Sequence, residues 1–402
     1  MRISTNTLYD RGVTAMQGQQ SKVLHTQQQI STGRRVLTPA DDPIAASGAL
    51  RVQQSMATNA QYRTNRDAAV AQLSLTDEAL SRVVNVLQSV RETAVNAGNG
   101  ALSATDRATL AQALTGQYDE LMSIANTVDS DGNYLFAGFQ TGVRPFSQSG
   151  GGVNFLGDEG VRRVQADATR QIETSLSGAA VFQRIRNGNG MFVTQPAAAN
   201  TGTGVIAQGT VVNPAALTGR DYRLDFIVAG AVTTYNVVDV TLGTTVATAQ
   251  PYTANGTITI AGMQTMVTGS PANGDQFTIS PSVNQGLFAT LSNLASQLRS
   301  ANTGPAWTAQ FTSALGLSLA NVDQALDHIV VARSDVGSRL KEIDNLSGAG
   351  ESLGIQYEQT LSQLQDVDYA KAITDLTRYQ TTLEAAQRSF TRIAGKSLFD
   401  YL

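Results

Sequence analysis

Few residues of this 402-residue chain could carry acid–base or metal chemistry. Asp41 and Asp42 are adjacent carboxylates, His25 and His328 are the two histidines, and cysteine is absent. Disulfides and thiolate metal ligands are therefore excluded, and neither histidine stands in the Glu-x-x-His spacing of a metal site. Asp42 directly precedes Pro43, the order of an N-cap and a first helical residue. We therefore interpret Asp42 and Pro43 as a helix cap rather than as catalytic residues.

Other chemical signals are equally weak. The glycine-rich segments 150–152 and 188–190 complete neither a dinucleotide-binding nor a phosphate-binding motif, so we interpret them as turns or linkers. The net charge of -4 comes from 28 basic and 32 acidic residues without a long run of one sign. This predicts no nucleic-acid binding and no membrane binding. Nothing in the sequence implies a cofactor or an enzyme.

The elements that position these residues are helices at both ends of the chain. The first has the alternating three- and four-residue spacing of a coiled-coil seam, with glutamines at positions 20 and 27 and apolar side chains at Val13, Met16, Val23 and Ile30. The last helix carries two rows of the same kind, formed by Tyr369, Leu376, Leu383 and Phe390 and by Ala372, Tyr379, Ala386 and Ile393. These two seams predict pairing of the terminal helices and an assembly interface.

Between the terminal helices, longer seams are richer in leucine and valine. A helix is expected from Pro43 to about residue 97, and a capping box at Ser103 and Asp106 predicts the start of the next. A further seam from Leu315 to Ile343 predicts another long helix, which the glycine-rich segment 348–354 is expected to end. Together these helices form a predicted rod.

The middle of the chain has the composition of β structure. Residues 134–136, 153–155 and 161–164 are expected to form short strands and hairpins, with the last two separated by the turn at 157–160. Residues 187–285 are rich in threonine and glycine and contain alternating segments typical of half-buried strands. The fold class predicted is therefore mainly α with a β-rich insertion.

Three domains follow from this division. The terminal coiled-coil assembly domain comprises residues 1–42 and 358–402, and the helical rod with β-hairpins comprises residues 43–186 and 286–357. The β-rich insertion domain comprises residues 187–285, at the far tip of the helical hairpin. Deleting the insertion is expected to leave the rod intact.

Several segments resemble the flagellin superfamily. They are residues 29–36, residues 61–65, residues 87–95, residues 125–127, residues 397–402 and the run Pro39-Ala40-Asp41-Asp42-Pro43. The resemblance covers about 140 residues at one end and 110 at the other. Residues 1–5, 132–138 and 398–402 look like the hook–filament junction proteins of that superfamily, and residues 219–222 and 271–279 look like domains found in hook-associated proteins.

This resemblance implies a structural, non-enzymatic subunit of the bacterial flagellum. Its implied partners are further copies of the chain in a ring or short tube, hook-associated protein 1, flagellin and a flagellar export chaperone. Residues 1–6 lack the apolar core of a secretory signal peptide, and composition alone is that of a cytoplasmic protein. The resemblance implies instead flagellar export without a cleaved signal, and an extracellular location.

Three other functions remain open at this point. A flagellin filament subunit would share the terminal motifs, and a secreted enzyme could carry its active site in the insertion. An intracellular coiled-coil scaffold would satisfy the periodicity alone. The insertion is poor in histidine, cysteine and glutamate, which makes acid–base or metal chemistry difficult to build there.

The terminal seams also suggest a hypothesis about folding. Glutamine and alanine occupy several seam positions, so an isolated pair of these helices would bury little apolar area. Because buried apolar surface contributes about 25 cal/mol per Å², the stability of the isolated pair should be marginal. We therefore expect the terminal segments to be largely disordered in the free monomer and to fold on meeting their neighbours.

Overall fold

The computed structural model describes residues 5–150, 152–300 and 302–394 of the chain. Within these ranges the helices are α1 (Thr5–Thr32), α2 (Pro43–Ala97), α3 (Ala104–Ala125), α4 (Gly178–Phe182), α5 (Leu287–Leu298), α6 (Pro305–Gln365) and α7 (Tyr369–Ala394), with a 3₁₀ turn at Pro214–Ala216. Contacts divide the chain into one unit of residues 1–64 with 345–402 and a second unit of residues 65–344. The division into three domains remains a prediction.

The strands all lie in the second unit. In chain order they are β1 (Phe146–Ser149), β2 (Gly152–Phe155), β3 (Arg163–Gln165), β4 (Gln171–Glu173), β5 (Ile185–Arg186), β6 (Phe192–Pro196), β7 (Val205–Ile206), β8 (Thr210–Val211), β9 (Tyr222–Ala229), β10 (Val232–Asp239), β11 (Thr244–Pro251), β12 (Thr257–Ile260), β13 (Met263–Thr268), β14 (Gln276–Pro281) and β15 (Asn284–Gln285). Every described pairing is antiparallel. The fold is thus mainly helical with a β-rich middle, as the sequence predicted.

The seam predicted on α2 forms the helical core of the second unit. Its members are all buried, namely Ala69, Leu73, Thr76, Leu80, Val83, Leu87, Val90 and Ala94. Asp77 and Arg333 form an ion pair at 3.0 Å, and Arg91 and Asp323 form another at 2.7 Å, so α2 and α6 run antiparallel. The predicted capping box starts α3, because Ser103 accepts a hydrogen bond from the Asp106 N–H and the Asp106 side chain accepts from the Ser103 N–H.

The small hairpins differ from their predicted arrangement. Strand β2 pairs with β1, which precedes it, and β3 pairs with β4, so residues 153–155 and 161–164 are not partners. Residues 134–136 form no strand beyond a single bridge between Val128 and Tyr134. The physical reason is burial, since Phe136, Phe146, Phe182 and Phe288 form one cluster of edge-on and tilted rings. Filling this cluster fixes which segments pair.

The β-rich region has a core of its own between two sheets. One sheet has the order β11-β10-β9-β14-β6, and the other has the order β12-β13-β7 with β8 also paired to β13. Phe226 lies at the centre of the core, with the rings of Tyr235, Tyr252 and Phe277 at 5.3 to 5.7 Å. Asp239 and Asp275 are buried at its margin and accept hydrogen bonds from backbone N–H groups.

This β region packs on the beginning of α6. The Gln310 side chain donates to the Asn200 carbonyl at 2.8 Å, and Ser313 Oγ accepts from the Ile206 N–H at 3.3 Å. Further along α6, Asn321 Oδ1 accepts from the Gly188 N–H at 2.7 Å. The first turns of α6 therefore use the insertion as their packing surface.

The expectation that glycines at 348–354 end α6 is wrong. The helix runs on to Gln365, although each glycine costs up to about 1 kcal/mol relative to alanine. Tertiary contacts compensate for that cost, because the Asn59 side chain donates to the Gly350 carbonyl at 2.8 Å. A Cβ at Gly354 would lie 3.6 Å from the same amide nitrogen, an ordinary van der Waals distance, so the approach of α2 does not require a glycine there.

Candidate assembly interface

The cap predicted at Asp42 is built from two carboxylates with different tasks. Asp42 Oδ1 accepts from the Ala45 N–H at 2.9 Å, which caps α2 at Pro43. That hydrogen bond, followed by the one from Arg35, holds the pKa of Asp42 below its ordinary value. Asp41 Oδ2 instead accepts from the Leu37 and Thr38 N–H groups and closes the preceding loop. The Thr38 N–H is the main cause of the lowered pKa of Asp41.

Arg35 joins this loop to the connection between α6 and α7. Its guanidinium donates to Asp42 at 3.0 Å and to the Leu364 carbonyl at 2.9 Å, while its backbone N–H donates to the Gln365 carbonyl at 2.7 Å. The adjacent Gly33 has φ +71°, and a Cβ there would lie 3.2 Å from the Tyr369 hydroxyl. No motif or spacing in the sequence indicates this role of Arg35.

Helices α1 and α7 form an antiparallel pair. The rings of Tyr9 and Phe390 meet edge to face at 5.6 Å, and Lys22 Nζ lies 5.8 Å from the centre of the Tyr379 ring. Such aromatic and cation–π contacts contribute about 1 kcal/mol each. Of the predicted interface residues, Val23 is buried, whereas Met16, Ile30, Leu376, Tyr379, Leu383 and Phe390 are half-buried. The side chain of Ile393 lies outside the described residues.

One row of the α1 seam lies one residue before the positions that the sequence predicted. Val13 is 40% exposed, and the glutamines at 20 and 27 are also exposed. Gly12, Gln19 and Thr26 occupy the facing row instead. The reason lies on the partner helix, because a Cβ at Gly12 would lie 2.9 Å from Phe390 Cδ2. The Phe390 ring thus requires a glycine opposite it, and the apolar pattern of α1 alone does not reveal this.

The first unit leaves many apolar side chains in contact with solvent. Ile44 is 84% exposed and Leu50 is 65% exposed, and Tyr369 is exposed despite its place in the predicted interface. The other large apolar side chains that are exposed in the described part of this unit are Val13, Leu24, Leu353, Ile355 and Ile373. We call this set of eight residues the exposed apolar set. Apolar side chains in such number on two thin helix pairs are typical of a surface that other subunits cover.

The candidate chemical residues have structural surroundings. His25 Nε2 lies 3.6 Å from Asp41 Oδ1, and His328 Nε2 lies 2.8 Å from the Ala180 carbonyl. Among residues 5–150, 152–300 and 302–394, no cluster of three metal-ligating side chains occurs. None of the helices in these ranges has the length and apolar content needed to cross a bilayer.

Comparison with known proteins identifies the architecture. Residues 3–141 match the model of the bacterial flagellin N-terminal helical region, and residues 319–402 match that of the C-terminal helical region. The flagellar hook-associated protein 3 of Salmonella typhimurium is 28% identical over 399 residues, 99% of each chain. The crystal structure of flagellar hook-associated protein-3 from Legionella pneumophila is 31% identical and covers 78% of this chain and 98% of that one, with a TM-score of 0.75.

The chain belongs to the flagellar hook-associated protein 3 family. Its similarity to flagellins is more limited. Polar flagellin F of Vibrio parahaemolyticus is 26% identical over 111 residues, which are 28% of this chain and 29% of that one. The whole length therefore corresponds to the hook-associated protein 3 family, and only part of it to flagellin. As a member of that family, the chain is a structural protein of the bacterial flagellum.

Proposed function

We propose that this chain joins the hook of the bacterial flagellum to the flagellin filament. The observation that carries the proposal is the correspondence with hook-associated protein 3 over 99% of both chains, β region included. On this proposal the chain forms a ring or short tube of identical subunits, with hook-associated protein 1 on one side and flagellin on the other. A flagellar export chaperone would accompany it before it is exported from the cell.

The contacts between subunits are proposed to lie on the first unit. The interface would comprise the half-buried seam residues of α1 and α7 together with the exposed apolar set. Burial of one such leucine or isoleucine contributes about 1.5 to 3 kcal/mol, so a few of them suffice to hold neighbouring subunits together. The seam positions of α1 and α7 carry no charged side chain, which lowers the desolvation cost of covering them.

Weak pairing of α1 and α7 would link folding to assembly. Among the described side chains of this pair, only two apolar ones are buried, Val23 on α1 and Ala372 on α7. This is little apolar area for two helices of 28 and 26 residues, because isolated helices depend on packing for stability. The proposal is that both helices become stable only when neighbouring subunits cover them. Limited proteolysis of the free monomer tests this, and equal resistance of residues 1–35, 360–402 and the central region would contradict it.

The junction role is tested in a strain from which the gene is deleted. We expect intact hooks without filaments and flagellin monomers released into the medium, with both defects restored by the wild-type gene. Loss of a sole filament subunit would also leave bare hooks, but no flagellin monomers would then appear in the medium. Normal filaments in the deletion strain would contradict the proposal.

A further inference from the structure

Five asparagines of this chain are followed directly by glycine, at positions 99, 187, 189, 255 and 273. This dipeptide is the one most prone to spontaneous loss of the side-chain amide, because glycine places no Cβ in the path of its own backbone nitrogen. The reaction requires that nitrogen to lose its proton and to reach Cγ of the asparagine. Its hydrogen bonding therefore decides whether a given site reacts.

Four of the five sites hold the glycine N–H in a hydrogen bond. The Gly188 N–H donates to Asn321 Oδ1 at 2.7 Å, and the Gly190 N–H donates to the Asn187 carbonyl at 3.1 Å. In the β-rich region, the Gly256 and Gly274 N–H groups donate to the carbonyls of Thr253 and Phe226, each at 2.9 Å. Each of these nitrogens must leave its acceptor before it can attack.

The fifth site, Asn99–Gly100, lies in the turn between α2 and α3 and differs from the others. Both residues are exposed, and no described residue accepts a hydrogen bond from the Gly100 N–H. The Ala101 N–H donates to Asn99 Oδ1 at 3.1 Å. That oxygen gains negative charge when Cγ is attacked, so a donor already in place stabilises the tetrahedral intermediate.

We propose that Asn99 is a site of self-catalysed deamidation. The Gly100 nitrogen loses its proton to hydroxide and forms a bond to Asn99 Cγ. The bond between Cγ and Nδ2 breaks, and Nδ2 leaves as ammonia after gaining a proton. Water then opens the cyclic imide at either carbonyl, which gives aspartate or isoaspartate at position 99. The net reaction consumes one water and releases one ammonia.

The surroundings of the turn accommodate the product charge. The new carboxylate would face the Ala101 N–H, a few residues before the N-terminus of α3, where negative charge is favoured. The reaction changes one exposed side chain from neutral to negative and leaves the buried seam of α2 unchanged. It is independent of the proposed junction role, since it needs only the folded chain and water.

The experiment incubates the full-length folded chain at mildly alkaline pH and follows each site by peptide mass spectrometry. Cleavage after Arg91 and Arg107 isolates residues 92–107, and fragment spectra separate Asn99 from Asn96. We expect Asn99 to react at least about tenfold faster than the other four, since each must first give up a hydrogen bond and a tenfold rate corresponds to about 1.4 kcal/mol. Enzymatic methylation of isoaspartate at position 99 would identify the second product.

Two substitutions and one condition control the result. A Cβ at Gly100 meets no atom within 4 Å, so Gly100→Ala should fold normally and yet suppress the reaction. Gly116→Ala also meets nothing within 4 Å and should leave the rate at Asn99 unchanged. In denaturant, the five sites should react at similar rates. Equal rates at Asn99 and Asn255 in the folded chain, or an unchanged rate in Gly100→Ala, would overturn the proposal.

Discussion

At the scale of single residues, the short loop before α2 concentrates the polar contacts of the first unit. Asp41 closes the loop, Asp42 caps the helix, and Arg35 ties both to the end of α6. By residue type alone, the two adjacent carboxylates could be an acid–base pair. The carboxylates of Asp41 and Asp42 both accept hydrogen bonds from backbone N–H groups that fix the loop and the start of α2. The two adjacent carboxylates therefore have structural roles.

Substitution of Asp42 separates the cap from the charge. Asp42→Ala removes both and should lower the melting temperature at neutral pH, whereas Asp42→Asn keeps an acceptor for the Ala45 N–H and should lower it less. Because the pKa of Asp42 in the folded chain is below its ordinary value of 3.8, its charge stabilises the fold fully above that pH. The advantage of the wild type over Asp42→Asn should decrease as the pH falls through the lowered pKa.

Thermal unfolding monitored by circular dichroism measures this difference. The pH range runs from neutral to about pH 2, so that it includes the ordinary pKa of an aspartate carboxyl group. A constant gap between wild type and Asp42→Asn throughout that range would show that the charge of Asp42 does not contribute.

At the scale of elements, the α1 and α7 pair shows how one bulky ring determines a seam. Phe390 occupies the space left by Gly12, and the Tyr9 ring packs on it in a T-shaped arrangement. The row containing Gly12 therefore faces α7, although it is less apolar than the neighbouring row. The exposed position of Val13 is a direct consequence.

Gly12→Leu and Gly18→Leu form a matched pair that tests this arrangement. Both replace a glycine of α1 by a better helix former, which favours the helix by up to about 1 kcal/mol. A Cβ at Gly18 meets nothing within 4 Å, so Gly18→Leu should retain or improve helix pairing and motility. Gly12→Leu must displace the Phe390 ring, and overpacking of this kind costs about 1 to 3 kcal/mol.

Hydrogen exchange of α1 and α7 in isolated flagella, where neighbouring subunits would cover both helices, together with swimming of complemented strains, measures both effects. We expect faster exchange and weaker motility for Gly12→Leu alone. Equal behaviour of the two variants would mean that Phe390 does not pack on Gly12 in the working protein.

At the scale of the whole molecule, the β-rich region is a separate core that is attached to the helices at several points. Its ends meet in the pairing of β5 with β15, where Arg186 lies opposite Asn284. Its side contacts α6 through Gln310, Ser313 and Asn321. The insertion can therefore be removed without opening a gap in the chain, but not without uncovering the start of α6.

Replacing residues 187–283 by a two-residue Gly-Ser turn tests the expectation that the helices survive deletion. Two residues suffice to connect antiparallel neighbours. We expect the buried seam of α2 to keep its protection from hydrogen exchange. Amides near the beginning of α6 should exchange about tenfold faster or more, because each lost hydrogen bond is worth about 1 kcal/mol. Global unfolding of the deleted chain would show instead that the insertion is required for the helical core.

Features that depend on one segment at a time could be predicted from the sequence. The cap at Asp42, the capping box at Ser103 and the buried seam of α2 each follow from local spacing, because helix geometry relates residues three and four apart. The β character of the middle region follows similarly from alternation and composition. The terminal motifs were sufficient to indicate the flagellin superfamily.

Other features depend on which distant segment of the chain packs against a given element, and the tertiary structure alone decided these. The strand order β11-β10-β9-β14-β6, the pairing of β2 with β1, the passage of α6 through its glycines and the phase of the α1 seam all belong to this class. In each case the free energy comes from packing between residues far apart in sequence, such as Phe390 on Gly12 or Asn59 on Gly350. Local periodicity limits these choices but does not select among them, because pairing energy exists only once both partners are in place.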